Sequence, residues 1–279
     1  MNPIFESRYA SSPEAVKQYD TTQLRDEFLI DDLMQAGEIK MTYSHYDRYL
    51  VGSVVPLEPI KLETADALKA EYFLQRRELG IINVGDSGII EVDGEVFQLD
   101  HKDALYVGQG KKLVVFKSSN PEHPAKFYFN SAPAHTSYPT KKISLADANQ
   151  FELGSLETAN HRTVSQIIIG GVVTTCQLQM GMTTLKTGSV WNTMPAHVHD
   201  RRMEIYFYLD VPEDQAVCHF MGQPNETRHI WVHNHQAVIS PPWSIHCGSG
   251  TSNYTFIWGM AGENLDYSDM DKAEITELR

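Results

Sequence analysis

The stretch "NTMPAHVHDRRMEIYFYLD", Asn192–Asp210, decides how this chain is read. Its second half, "RRMEIYFYLD" (Arg201–Asp210), is echoed far upstream by "RRELGIINVG" (Arg76–Gly85). Both segments carry the β-branched and aromatic residues that favour strands, and a hairpin pattern follows each. Further on, "DALYVGQG" in one half answers "QAVISPPWSIHCG" in the other. A repeat of this length predicts two units of one kind, 1–140 and 141–279, joined through the proline-punctuated connector "APAHTSYPTKK" (Ala132–Lys142).

Working outward, most of the chain reads as short strands. "IIEVDGEVFQL" is a hairpin whose turn is supplied by Asp93-Gly94. Helix signals are confined to "DTTQLRDEFL" (Asp20–Leu29), which opens on an N-cap aspartate, and to "TADALKAEYF" (Thr64–Phe73). A mainly all-β fold follows, built from two barrels or jelly-roll sandwiches made by duplication.

Composition narrows the role. The formal net charge of −13 disfavours nucleic acid and anionic membrane as partners, though a local arginine or a metal can reverse the sign inside one pocket. No run approaches the ~20 apolar residues of a membrane span, and the N-terminus lacks a secretory pattern. Cys176, Cys218 and Cys247 are an odd set without CxxC spacing, which fits buried thiols in a reducing compartment. A soluble cytoplasmic protein is expected.

Seven of the twelve histidines lie between His197 and His246. Residues two apart on a strand share a face, so His197 and His199 can aim both imidazoles at one point. Glu204 breaks that parity, so a bend over residues 200–203 must start a second strand, with Glu204, Tyr206 and Tyr208 on one face. "SPPWSIHCG" returns His246 after a Pro-Pro turn. A histidine pair alone is often just half-buried polar surface. With Glu204 and His246 it becomes a His₃Glu set suited to a divalent transition metal.

The HxH-x₄-E and P-x₄-H motifs resemble the two metal-binding motifs of the cupin superfamily. Trp243 and Gly250 replace the usual glycine and asparagine of those motifs. Longer stretches, "FLQRRELGIINVG", "WNTMPAHVHDRRMEIYFYLD", "MGQPNETRHI" and "YTFIWGMAGEN", resemble the 5-keto-4-deoxyuronate isomerases of pectin catabolism, from about Asp20 to Arg279. The resemblance implies a bicupin of two jelly-roll barrels, one zinc per chain held by His197, His199, Glu204 and His246, and a homo-oligomer, a hexamer. It implies that the first barrel carries no metal, and that the substrate is a small anionic sugar derivative.

Isomerisation moves a proton between adjacent carbons, so an acid or base must stand within hydrogen-bond reach. Tyr206 and Tyr208 share the face of Glu204; Glu226 and His229, in "GQPNETRHI", are further candidates. The substrate carboxylate calls for a guanidinium, and Arg202 and Arg228 are the candidates, with Lys142 beside Lys141 able to reach a pocket mouth. "RR" also stands at Arg76-Arg77, which fits a structural device of both units equally well. The competing readings are an isomerase of another uronate, an iron-dependent cupin dioxygenase and a non-catalytic sugar-binding bicupin.

Overall fold

The computed structural model describes residues 3–279 and is predominantly β-sheet with a few short helices. Two pairs of sheets account for nearly every strand, and their strand orders repeat. One seven-stranded sheet runs Ile4–Arg8, Ile39–Ser44, Leu50–Val54, Phe127–Pro133, Arg77–Asn83, Ala104–Val107, Lys141–Ile143. The other runs Asn149–Leu153, Arg162–Ile168, Gln179–Leu185, Thr255–Gly262, Arg202–Leu209, Ala237–Ser240, Leu29–Ile30. The four-stranded partners are Ile60–Lys61, Val114–Ser118, Gly88–Val92, Glu95–Leu99 and Trp191–Asn192, Cys247–Gly250, Val217–Gln223, Glu226–Val232.

Arg77–Asn83 and Arg202–Leu209, the two echoed segments, hold the same place in their sheets. So do two glycines. A Cβ on Gly52 would stand 2.2 Å from the Phe129 ring, and one on Gly181 would stand 2.1 Å from the Trp258 ring. Each glycine lets a large aromatic side chain from the neighbouring strand lie flat over its backbone.

Two compact units interleave along the chain. The first comprises residues 3–8, 32–149 and 167–180; the second comprises residues 9–31, 150–166 and 181–279. Where the sequence suggested one cut after residue 140, Tyr9–Asp31 thus belongs with the second unit. The reason is local: Leu29–Ile30 adds an edge strand beside Ala237–Ser240, and Arg25 donates to the Trp231 carbonyl at 3.1 Å. In the first unit, residues of both sheets, among them Leu79, Ile81, Phe127, Phe129, Ile90 and Phe116, form one buried core.

The helix expected after Asp20 spans Thr21–Phe28 and carries a capping box with Gln23. The helix expected over Thr64–Phe73 does not form. Two 3₁₀ turns, Asp66–Leu68 and Phe73–Gln75, take its place, because Lys69 stops the first at φ 45°. The Asp93-Gly94 turn joins Gly88–Val92 to Glu95–Leu99 with φ of 48° and 88°, as a two-residue hairpin turn requires.

Candidate metal centre

In the second unit, the strand bearing His197 is only two residues long, His197–Val198, and pairs with Asp271–Lys272 of the C-terminal tail. A turn follows, and the chain re-enters the large sheet at Arg202, so the strand parity resets between His199 and Glu204. His246 closes the turn that leads into Cys247–Gly250 of the small sheet. All four side chains are buried.

Their donor atoms meet. His197 Nε2 and His199 Nε2 stand 3.1 Å apart, and His199 Nε2 stands 3.1 Å from Glu204 Oε2. Glu204 Oε2 lies 2.9 Å from His246 Nε2, which is 3.1 Å from His197 Nε2. The four donors all lie within 4.8 Å of one another. Such spacings are what ligands about 2.0–2.2 Å from one common cation adopt, so the set fits a divalent metal.

The outer nitrogens of two of the rings support that fit. His199 Nδ1 lies 2.7 Å from the Asp269 carbonyl oxygen, which leaves Nε2 with its lone pair toward the other donors. Arg202, 1% exposed, donates to the same carbonyl at 2.9 Å. Arg201 grips the Asp269 carboxylate, with Nε 2.7 Å from Oδ2. His246 Nδ1 faces the Ser244 carbonyl at 3.4 Å. Burial, followed by the nearby imidazoles of His246 and His199, lowers His197 to about 2, so it stands ready as a neutral ligand. Burial works to raise the Glu204 carboxyl, but the imidazoles of His246 and His199 together outweigh it and hold Glu204 well below the usual carboxylate range.

The centre opens on a cavity of about 410 Å³. Its floor is one face of the large sheet, read off by two-residue alternation: Arg162 and Val164, Thr183, Phe256 and Trp258, Glu204 and Tyr206. Tyr206 O–H lies 2.8 Å from Thr193 Oγ1. Burial and then the adjacent Glu204 raise its pKa well above the ordinary tyrosine value, so it remains a protonated phenol. Tyr267, on the C-terminal tail, also lines the cavity and is pushed up to about 12, by burial first and Glu204 second.

Of the residues singled out from sequence, His197, His199, Glu204, His246 and Tyr206 come together here. Tyr208 lies deeper, its hydroxyl 2.7 Å from His219 Nδ1. The others are elsewhere. Arg202 does not line the cavity, because its guanidinium is committed behind His199. His229 is exposed on the face of its strand opposite the buried Ile230. Glu226 pairs with Arg228 at 3.0 Å, and Arg228 also donates to the Lys17 carbonyl. Lys142 belongs to the first unit, where its Nζ lies 2.8 Å from Asp103. Arg162, Thr193, Tyr267 and Lys272 were not foreseen. Strand parity could have found Arg162, which opens "RTVSQII", but nothing in the tail "LDYSDMDK" marks it as part of a site.

Sheet order and donor set together define a β-sheet protein of cupin-like fold with a buried metal centre of three histidines and one carboxylate. The KduI/IolB family model matches residues 28–276, and the chain belongs to that family. It is 73% identical over 280 residues to a 4-deoxy-L-threo-5-hexosulose-uronate ketol-isomerase of Formosa agariphila, covering 100% of both chains. A protein of the same name from Bacteroides fragilis is 56% identical over 280 residues, again covering 100% of both. Among solved structures, an IolB-like protein from Salmonella typhimurium LT2 matches with a TM-score of 0.72 at 15% identity, covering 88% of this chain and 96% of that one. An oxalate decarboxylase of Lactobacillus farciminis matches at 0.62 and 10% identity, covering 92% and 90%. At such identities the likeness concerns the fold alone.

Proposed function

We propose that the protein is a metal-dependent ketol-isomerase of uronate catabolism. It converts 4-deoxy-L-threo-5-hexosulose uronate to 3-deoxy-D-glycero-2,5-hexodiulosonate. Four buried donors converging on the wall of a sugar-sized cavity carry this reading, and 73% identity over the whole length to a protein of that name supports the substrate. We read the repeated sheet pairs as a bicupin of two jelly-roll barrels. Leu79 stands in the first where the Arg-Arg alignment puts Glu204 in the second, and its burial in an apolar core goes with a first barrel that binds no metal. Family likeness adds the expectation of a hexamer in the cytoplasm.

His197, His199, Glu204 and His246 would hold the metal. Bound there, zinc would supply Lewis acidity to the adjacent carbonyl and hydroxyl oxygens of the substrate without changing oxidation state. The chain's own groups do the rest. Tyr206, kept protonated, donates a hydrogen bond to a substrate carbonyl oxygen in the cavity, and Thr193 orients that phenol. Trp258, Phe256 and Val164 wall the cavity with apolar surface that strengthens this electrostatic help. Tyr267 offers a second phenol on the tail side.

The experiment is chelation and restoration. Dialysis against a strong chelator should abolish turnover of the deoxyuronate, and one equivalent of zinc should return it. Oxygen uptake restored by iron, with no isomerisation under zinc, would favour the dioxygenase instead.

A further inference from the structure

We infer that Arg162 is the anchor for the substrate's carboxylate and sets which end of the open chain meets the metal. This rests on the isomerase reading for the identity of the substrate, but the site itself is built from residues of the cavity. Arg162 is only 9% exposed, and among the described residues it forms no ion pair. Among the described residues its guanidinium bonds one acceptor, the Asn160 carbonyl, through Nη1 at 2.8 Å. A buried cation without a counter-ion is costly, and its remaining donors suit an anion from outside. The planar fork matches a carboxylate in two parallel hydrogen bonds.

The cavity's charge agrees. Its side chains include two cations, Arg162 and Lys272, against one carboxylate, Glu204, which the metal would neutralise. Lys272 is exposed and can only steer, which leaves the holding to Arg162. In a chain of net charge −13 this local reversal singles the cavity out as an anion site.

Position supplies the polarity. The strand opening at Arg162 and the strand of Glu204 are separated by two others in the sheet order. At ~4.8 Å per strand their backbones are roughly 14 Å apart. Arg162 therefore stands across the cavity floor from Glu204 of the metal centre. A six-carbon open chain reacts at C1 and C2 and carries its carboxylate at C6. Carboxylate on Arg162 and aldehyde toward the metal is the one orientation that satisfies both ends of the cavity, and it selects for uronates over neutral sugars.

The test compares wild type, Arg162→Met and Arg162→Lys, each checked for one zinc per chain. The substrates are the deoxyuronate and its analogue with a hydroxymethyl group replacing the carboxylate. Loss of the charged pair should lower kcat/KM of Arg162→Met for the uronate by about 100-fold, mostly through KM, with Arg162→Lys between. The preference for uronate over neutral analogue should fall at least about tenfold. An equal fall on both substrates, or an unchanged KM for the uronate, would overturn the assignment. If wild type converts neither, the isomerase reading fails, and calorimetric titration with D-galacturonate decides on Arg162 alone. Weaker binding by Arg162→Met upholds the anchor; equal affinity, or no binding by wild type, overturns it.

Discussion

His246 Nε2 stands 2.9 Å from Glu204 Oε2, although one residue closes a turn into the small sheet and the other lies within the large one. The metal would therefore tie the two sheets of the second unit together. His246→Ala should lose zinc affinity by more than the ~10–100-fold typical of losing an outer partner. A chromophoric chelator competition measures this, and near-native affinity would contradict the ligand set.

Arg202 and His199 converge on one carbonyl, that of Asp269, so the tail orients a ligand ring from behind. Arg202→Met should retain the fold but lower zinc affinity by about 10–100-fold. Unchanged affinity in the same competition would confine Arg202 to packing.

Tyr206 should matter to turnover rather than to metal loading. Tyr206→Phe removes one hydrogen-bond donor, and kcat should drop by roughly 10²–10³ with zinc content unchanged. Thr193→Val, which only frees the phenol, should cost less. Steady-state kinetics beside metal analysis separates these effects.

The pH dependence of stability has a definite sign. His219 is fully buried, with Nε2 unpartnered among the described residues, and burial first, then His246, lowers it to about 3. Its folded pKa lies below the ordinary 6.5, so below that pH the unfolded chain binds the proton more readily. This share of stability is complete above pH 6.5 and drains away as pH falls toward 3. The cost is about 1.4 kcal/mol per pH unit for each such histidine. In metal-free protein His197 adds to it with the same sign. Urea unfolding at pH 7, 6 and 5 should show a shallower slope for His219→Phe by about one proton. Identical slopes would contradict the account.

The metal centre was legible because its signal is local: HxH on a strand, a parity break, a glutamate, then a proline turn and a histidine. The duplicated order was legible through the two Arg-Arg strands. The failed helix over Thr64–Phe73 shows the limit of composition, since a left-handed Lys69 ends it after one turn. The rest of the cavity lining was harder still. Arg162 and the tail residues Tyr267, Asp269 and Lys272 reach the site only through sheet neighbours and a returning C-terminus, which spacing along the chain does not encode. Arg202 was expected to meet the substrate carboxylate, but its guanidinium holds the Asp269 carbonyl behind His199 and does not line the cavity.

The most direct measurement is proton NMR of the deoxyuronate turned over by the zinc-loaded protein in D₂O, with His246→Ala alongside. Conversion is expected of the wild type, with solvent deuterium on the carbon that was the aldehyde, and none of the variant. Conversion without deuterium would contradict proton transfer through an enediol, and no conversion by the zinc-loaded wild type would contradict the substrate itself.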